Sequence, residues 1–322
     1  MPSAGRCEVT VAVVVIAGMG AAAGKTALAC GLAGHLADRG RTIAYAAVGP
    51  QASEHAAFVA GALGLAAPAV ASASTVAGLT APPADVTFVE LDASIPVADA
   101  ARTLGSKVML VVRYHQHLGA QEILDAVGDQ RDLLAGVIVN GAPARYIFPV
   151  REAMAASLEA AGTRLFGIVP EDRQLMGFTV GELASHLQAD FLCRPDRHGI
   201  LLQALMVGAN AADPAFSYFH AKPQTALICR ANRPDQQLTA LEQPVDCMVF
   251  TGDGHIQQSV VYRAEDAGVP IIKVATDTID TVHRLDGLVE NVRFRQAAKV
   301  PVIQDLVDGR IDWAQFDAAF GV

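Results

Sequence analysis

The stretch Gly18-Met19-Gly20-Ala21-Ala22-Ala23-Gly24-Lys25-Thr26 decides how the rest of this sequence is read. The apolar run Val9–Ala17 precedes it and reads as a buried strand, and Ala27–Asp38 follows with helical character. Strand, glycine-rich turn, Gly-Lys-Thr and helix is the order a phosphate-binding loop requires. Successive backbone N–H groups and the positive end of a helix then converge on one point, which suits a phosphate. Lys25 is the catalytic candidate, reaching the β- and γ-phosphates, and the Thr26 hydroxyl is placed to hold Mg²⁺. Gly18, Gly20, Gly24, Lys25 and Thr26 form the expected nucleotide contact set. The usual motif puts its first glycine where Met19 stands, and here the glycine lies one residue further out, at Gly18. The bland alternative is an alanine-glycine turn that seats a helix closely on a strand.

Outward from the loop, strand and helix patterns alternate through the first 170 residues. Strand candidates are Val9–Ile16, Thr42–Val48, Val86–Glu90, Val108–Val112, Gly136–Asn140 and Leu165–Val169. Most are short continuous apolar runs, as expected where both faces of a sheet are covered. Helical patterns at Ala120–Leu134 and Val150–Ala161 lie between them, and Arg39-Gly40 and Ala161-Gly162 read as helix stops. The pattern predicts an α/β fold, a doubly wound parallel sheet of P-loop NTPase type with the nucleotide at the carboxyl ends of the strands. Ala66–Pro83, rich in alanine, serine and proline, reads as a weakly structured excursion.

Near Glu171–Thr179 the pattern restarts. A helix is expected over Val180–Ala189, then a long apolar segment Ile200–Ala211. Strands are expected at Thr225–Cys229, Cys247–Thr251 and Pro270–Ala275, with helices at Asp235–Leu241 and Gln257–Ala267. This predicts a second, smaller α/β domain. The expected division is residues 1–175, 176–290 and a helical tail 291–322 that carries the single tryptophan, Trp313, and packs back on one of the domains.

Composition bounds the function. The 322 residues suffice for two domains, and the net charge of −9 with no lysine-arginine cluster argues against nucleic acid as a partner. Val9–Ala17 is too short to span a bilayer, and the N-terminus lacks the features of a secretory signal, so no membrane partner is expected. The five cysteines show no metal or disulfide spacing, which suits a reducing cytoplasm.

Three further candidates come from position. Glu90 and Asp92 end a buried strand near the expected phosphates, where a carboxylate holds Mg²⁺ directly or through water, or is an ordinary strand-end acid. Asn140 ends another strand; its amide offers the donor and acceptor an adenine edge needs, or it is a turn residue before Gly141-Ala142-Pro143. His115-Gln116-His117 reads as a solvated loop rather than a metal pair, and Arg113 beside Tyr114 is a phosphate or substrate contact candidate.

Taken together, these segments resemble the dethiobiotin-synthetase-like proteins of the phosphotransacetylase family, in which a P-loop domain precedes a DRTGG domain. The same pair forms the N-terminal part of long phosphate acetyltransferases. The resemblance rests on the long glycine spacing of Gly18–Thr26, on Phe88-Val89-Glu90, on Leu110–Tyr114 and on Val137–Asn140. Gly167–Arg173, Thr179–Leu183 and the ending Val292–Gln296 with Val307–Trp313 carry it further. It implies ATP and Mg²⁺ as ligands, Glu90 on the metal and Asn140 near adenine. It also implies a second domain that senses an unidentified small effector or substrate, or supports a homodimer. The departures are specific. The Lys-Pro-Val segment that carries a catalytic lysine reads Ala46-Ala47-Val48, and the loop acid of dethiobiotin synthetase falls at Gly20. The signature lysine of the partition ATPases also falls at Gly20, which counts against that group. The name-giving DRTGG segment reads Arg230-Ala231-Asn232-Arg233, and with only a short helical segment after residue 290 no phosphate acetyltransferase activity is expected. The expected function is ATP- and Mg²⁺-dependent regulation with at most slow ATPase activity; the alternative is an ATP-dependent ligase or phosphotransferase acting on a small acid or amine.

Overall fold

A computed structural model describes residues 12–20, 22–66, 69–79, 83–208, 224–288 and 292–322. The chain divides into two compact units. Unit 1 comprises Met1–Leu175 with Phe294–Val322, and unit 2 comprises Met176–Arg293.

Unit 1 is built on seven parallel strands in the order β3-β2-β4-β1-β5-β6-β7. They are β1 (Ala12–Met19), β2 (Ile43–Val48), β3 (Val70–Ala73), β4 (Val86–Leu91), β5 (Val108–Arg113), β6 (Leu134–Ala142) and β7 (Leu165–Pro170). Residues 9–11 of the expected first strand lie outside the described residues. One face of the sheet packs on α1 (Lys25–Asp38), α2 (Ala52–Leu63), α10 (Val300–Asp308) and α11 (Trp313–Phe320). The other packs on α3 (Val97–Leu104), α4 (Ala120–Val127) and α5 (Ile147–Ala160). Coverage of both faces explains the continuous apolar runs. α1 and α5 end at Gly40 and Gly162, both with positive φ, as the helix-stop signals require.

β3 overturns the reading of Ala66–Pro83 as a weakly structured excursion. Val70–Ala73 pairs in parallel with Tyr45–Val48 at the edge of the sheet. None of its four side chains is fully buried, so the strand carries no apolar run for a sequence pattern to show.

The terminal helices pack back on unit 1. Gly31 and Gly34 on α1 let α10 approach closely; a Cβ on Gly31 would lie 2.7 Å from Val307 Cγ2 and 3.1 Å from the Ile303 carbonyl oxygen. Trp313 stacks on His35 with ring centroids 3.6 Å apart, and Arg39 pairs with Asp317 at 2.9 Å. The Asp312 N–H donates to the Phe166 carbonyl at 2.7 Å, fixing the start of α11 on β7.

Unit 2 holds a five-stranded sheet in the order β11-β12-β13-β14-β9. β11 (Ala204–Val207), β12 (Thr225–Arg230), β13 (Cys247–Thr251) and β14 (Ile271–Val274) are parallel, and β9 (Asp190–Cys193) closes one edge antiparallel. β8 (Phe178–Thr179) and β10 (Leu201–Leu202) pair separately. α6 (Val180–Leu187) covers one face, and α7 (Pro234–Ala240) and α8 (Gln258–Ala267) cover the other. A capping box between Thr179 and Glu182 starts α6. A further short helix, α9 (Thr278–Arg284), follows β14.

The apolar segment Ile200–Ala211 resolves into β10 and β11; its residues 209–211 lie outside the described residues. Leu202 and all of Cys247–Phe250 are fully buried. Cys247–Phe250 therefore leaves no free apolar surface, whereas Leu201, Leu205 and Met206 are half-buried and Val207 is 48% exposed, so Leu201–Val207 keeps part of the apolar surface expected of it.

Candidate functional site

β1 delivers the loop to the centre of the sheet, between β4 and β5. The turn closes at Gly24, whose φ of 91° lies in the left-handed region open to glycine. A Cβ at Gly24 would overlap the amide nitrogen of Asn140. α1 then begins with Lys25, only 7% exposed, its stem lying over Gly18. Gly20 is exposed at the loop crest with a φ of 93°.

The next residue, Thr26, joins a buried network centred on Glu90. Its hydroxyl donates to Glu90 Oε1 at 2.8 Å, and the Tyr45 hydroxyl donates to Glu90 Oε2 at 2.7 Å. His55 Nδ1 on α2 stands 3.5 Å from Oε1. Register explains the convergence: Ala47 on β2 and Ile16 on β1 both pair with Glu90 on β4. Burial pushes the Tyr45 phenol well above its ordinary value, and the charge of Glu90 adds to this. Beneath them, burial and then Glu90 raise the Cys30 thiol to about 12.

Asp92 lies two residues past Glu90 and serves a turn. It accepts from the Ser94 N–H at 2.9 Å and the Ser94 hydroxyl at 2.8 Å. These bonds hold its carboxyl below the usual range, with smaller help from the charges of Lys25 and His55.

Asn140 at the end of β6 turns toward the loop. Its Nδ2 donates to the Ala23 carbonyl at 2.9 Å, so one of the two N–H groups expected to face adenine braces the phosphate loop instead. His115 bonds Glu122 at 3.1 Å, and no group of three or more His, Cys, Asp or Glu side chains among the described residues is placed to hold a metal.

Tyr45 and His55 escaped the motif reading because neither belongs to a pattern. A tyrosine inside the otherwise aliphatic Ile43–Val48 was the available signal, since a buried phenol needs a partner. The Ala46-Ala47-Val48 segment is buried strand with no reactive side chain.

Thr26 Oγ1 and the Glu90 carboxylate form a compact set of hard oxygens beside the phosphate loop. Mg²⁺ is commonly held by one or two such groups together with nucleotide phosphates and water, and this donor set fits it.

A sequence model of the CobQ/CobB/MinD/ParA nucleotide binding domain matches residues 14–177, just over half of the chain. The chain belongs to the CobQ/CobB/MinD/ParA nucleotide-binding family. This family includes the partition-type ATPases against which the missing lysine at Gly20 had counted, so the absent residue does not separate the chain from the wider group. A DRTGG domain model matches residues 182–288, within unit 2. Within that match, Arg233 is paired with Asp235 at 2.7 Å.

Two solved structures are similar to this family member at low identity. One contains the CBS and DRTGG domains of the regulatory region of Clostridium perfringens pyrophosphatase, complexed with the activator diadenosine tetraphosphate. It shares 15% identity with a TM-score of 0.28, over 52% of this chain and 76% of that one. The other is the MinC:MinD cell division protein complex of Aquifex aeolicus, at 15% identity and a TM-score of 0.36, over 51% of this chain and 83% of that one. No helix among the described residues is long and apolar enough to cross a membrane.

Proposed function

We propose that unit 1 binds ATP with Mg²⁺ at Gly18–Thr26 and that the DRTGG unit regulates this by sensing a small ligand or by pairing with a second copy of the chain. The observation that carries the reading is Lys25-Thr26 at the head of α1, with Thr26 bonded to Glu90 at 2.8 Å. Backbone N–H groups and the helix end supply the anion site, and Lys25 supplies the fixed positive charge. Bound Mg²⁺ would neutralise phosphate charge. Thr26 Oγ1 would hold it, its hydroxyl hydrogen remaining donated to Glu90 so that an oxygen lone pair is left for the metal.

Turnover is slow at most in this reading. The buried Ala46–Val48 strand offers no substitute for the catalytic lysine of the resembling synthetases, and Asp92 is engaged with Ser94. A cytoplasmic location is supported by four described cysteines that are free and buried. The second reading is an ATP-dependent ligase or phosphotransferase of the dethiobiotin-synthetase type. The observation that favours it is His55, which brings a nitrogen to the Glu90 end of the site. ATP turnover with and without small acids, amines and bicarbonate separates the two.

Titration calorimetry with Mg²⁺ and ATP tests the shared premise. Lys25→Ala removes a charge-assisted phosphate contact of about 1.5–3 kcal/mol, roughly ten- to a hundred-fold in affinity. Equal affinity in wild type and variant would sink the nucleotide reading.

A further inference from the structure

Unit 2 carries a polar cavity at the carboxyl end of its own parallel sheet. In open α/β sheets the crevice outside the carboxyl ends of the strands is where ligands sit. Arg230 and Thr251, the last residues of β12 and β13, are paired in register, and Thr278 opens α9 just beyond β14. With Asn232, Asp253 and Asp277 they line a cavity of about 210 Å³. Pockets for drug-sized ligands measure about 300–1,000 Å³, so this one suits a smaller molecule. The loop after β13 is pressed against the loop after β12. A Cβ on Gly254 would lie 2.8 Å from the Asn232 backbone nitrogen, so a side chain there would part the two loops.

One part of the lining offers hydrogen-bond donors. The Arg230 guanidinium is exposed and has no hydrogen-bond or ion-pair partner among the described residues. The Asn232 amide is likewise unengaged there. Arg233, by contrast, is occupied by Asp235.

The rest of the lining offers acceptors. The Thr251 hydroxyl donates to the Cys229 carbonyl at 3.3 Å. Its 2.7 Å contact with the Thr278 hydroxyl therefore uses the Thr278 hydrogen, and Thr278 is left with lone pairs alone. Asp277 Oδ1 accepts from the Asp280 N–H at 2.9 Å, which leaves Oδ2 unengaged. Asp253 is exposed and has no partner among the described residues.

The cavity thus holds one cationic and two anionic side chains, and Arg230 pairs with neither carboxylate. A ligand with only negative charge would meet two like charges, and one with only positive charge would leave Arg230 unanswered. We propose that this cavity binds a small zwitterion, its anionic group on Arg230 and Asn232 and its ammonium among Asp253, Asp277 and Thr278. A guanidinium holds a carboxylate or phosphate through two parallel bonds, and an ammonium brings three hydrogens to three acceptors. Free α-amino acids and phosphorylated amines share this chemistry. The inference rests on the reading that unit 2 senses a small ligand, and it supplies the site and the ligand class.

Saturation-transfer NMR on the full chain tests it with free L-amino acids, phosphoethanolamine and acetate, the last lacking an ammonium. At probe concentrations of about 1 mM an amino acid or phosphoethanolamine gives a signal and acetate gives none. Which of the two zwitterions responds tells whether the anion is carboxylate or phosphate. Arg230→Ala weakens the bound probe about ten-fold or more, because it removes a charge-assisted contact. Asp253→Asn combined with Asp277→Asn weakens it by about as much, and asparagine still caps α9, so only the charges are lost. These side chains lie at the surface, so unfolding midpoints by circular dichroism stay at the wild-type value.

No signal from any zwitterion, or a probe that Arg230→Ala holds like wild type, would overturn the proposal. Acetate bound as tightly as the zwitterions, or full affinity in the paired aspartate variant, would overturn the ammonium half. Failure of the regulatory reading has a different signature. The probe then binds and depends on Arg230, yet the Mg²⁺-ATP affinity of the chain is the same with and without it.

Discussion

Replacing Gly24 by alanine tests whether the turn before Lys25 is held by the geometry described above. Two costs are set by the structure. Alanine at the φ of 91° found there enters the left-handed region, at about 1–2 kcal/mol. Its Cβ also displaces the Asn140 amide from the Ala23 carbonyl, losing a hydrogen bond of about 0.5–1.5 kcal/mol. The sum is about 1.5–3.5 kcal/mol, and with a urea slope near 2 kcal/mol per molar it lowers the unfolding midpoint by roughly 1 M. Trp313 is the only tryptophan and lies in unit 1, stacked on His35, so its fluorescence follows this unit alone. Asn140→Ala by itself costs only the hydrogen bond, about 1 kcal/mol. In the double variant the Cβ no longer meets an amide, so the combined cost falls short of the sum by about 1 kcal/mol. Gly24→Ala unfolding at the wild-type midpoint, or strict additivity in the double variant, would refute the account.

Other expectations follow from buried groups and from unit 2. Tyr45→Phe removes one of the two hydroxyl donors to Glu90 and lowers the Trp313 unfolding midpoint by an amount equivalent to about 1–2 kcal/mol; no shift would mean that Glu90 is held without it. Cys30 and Tyr45 both keep their protons more tightly in the folded chain. Their contribution is complete below about pH 9 and is lost as pH rises toward the folded Cys30 value of about 12. Unit 1 should therefore lose up to about 4 kcal/mol through Cys30 between those limits, and Cys30→Ala should flatten that profile when unfolding is followed by Trp313. Residues 176–293 expressed alone should give a soluble folded product, because the sheet of unit 2 is covered on both faces within the unit. Light scattering then weighs it, a dimer being expected; a folded monomer at tens of micromolar removes self-association through this unit.

The sequence showed its large features where chemistry and periodicity agreed. β1, the glycine loop and α1 were readable because a strand of β-branched residues, a phosphate motif and an alanine-rich helix occur in order. The central strands were readable because burial on both faces leaves uninterrupted valine, isoleucine and leucine. Elements that bury little were not legible. β3 has half-exposed alanine and serine, β9 is polar at its start, and α9 buries only Thr281 of its residues. At the site, Lys25 and Thr26 announce themselves by spacing, whereas Tyr45 and His55 reach Glu90 only through strand register and helix placement. Asn140 was visible as an amide at a strand end, but its donation to Ala23 depends on a contact across 117 positions of sequence. The seating of α10 on α1 was invisible for the same reason: Gly31 and Gly34 read as helix-weakening residues until the partner helix is known.

The return of Phe294–Val322 to unit 1 bears on how the chain is made on the ribosome. Unit 2 interrupts unit 1 in sequence, so the nascent chain exposes the outer face of α1, with Gly31 and Gly34, before α10 and α11 exist. The 118 residues of unit 2 separate the two parts, a delay of roughly 6–24 s at ordinary synthesis rates. Throughout that interval the helix that begins at Lys25 lacks its outer cover. Completion of the phosphate-binding unit therefore waits for the whole of unit 2 to be translated. A chain cut short within unit 2 keeps the face of the sheet under α3, α4 and α5 covered, and leaves α1 without the cover that Ile303, Val307 and Phe316 supply.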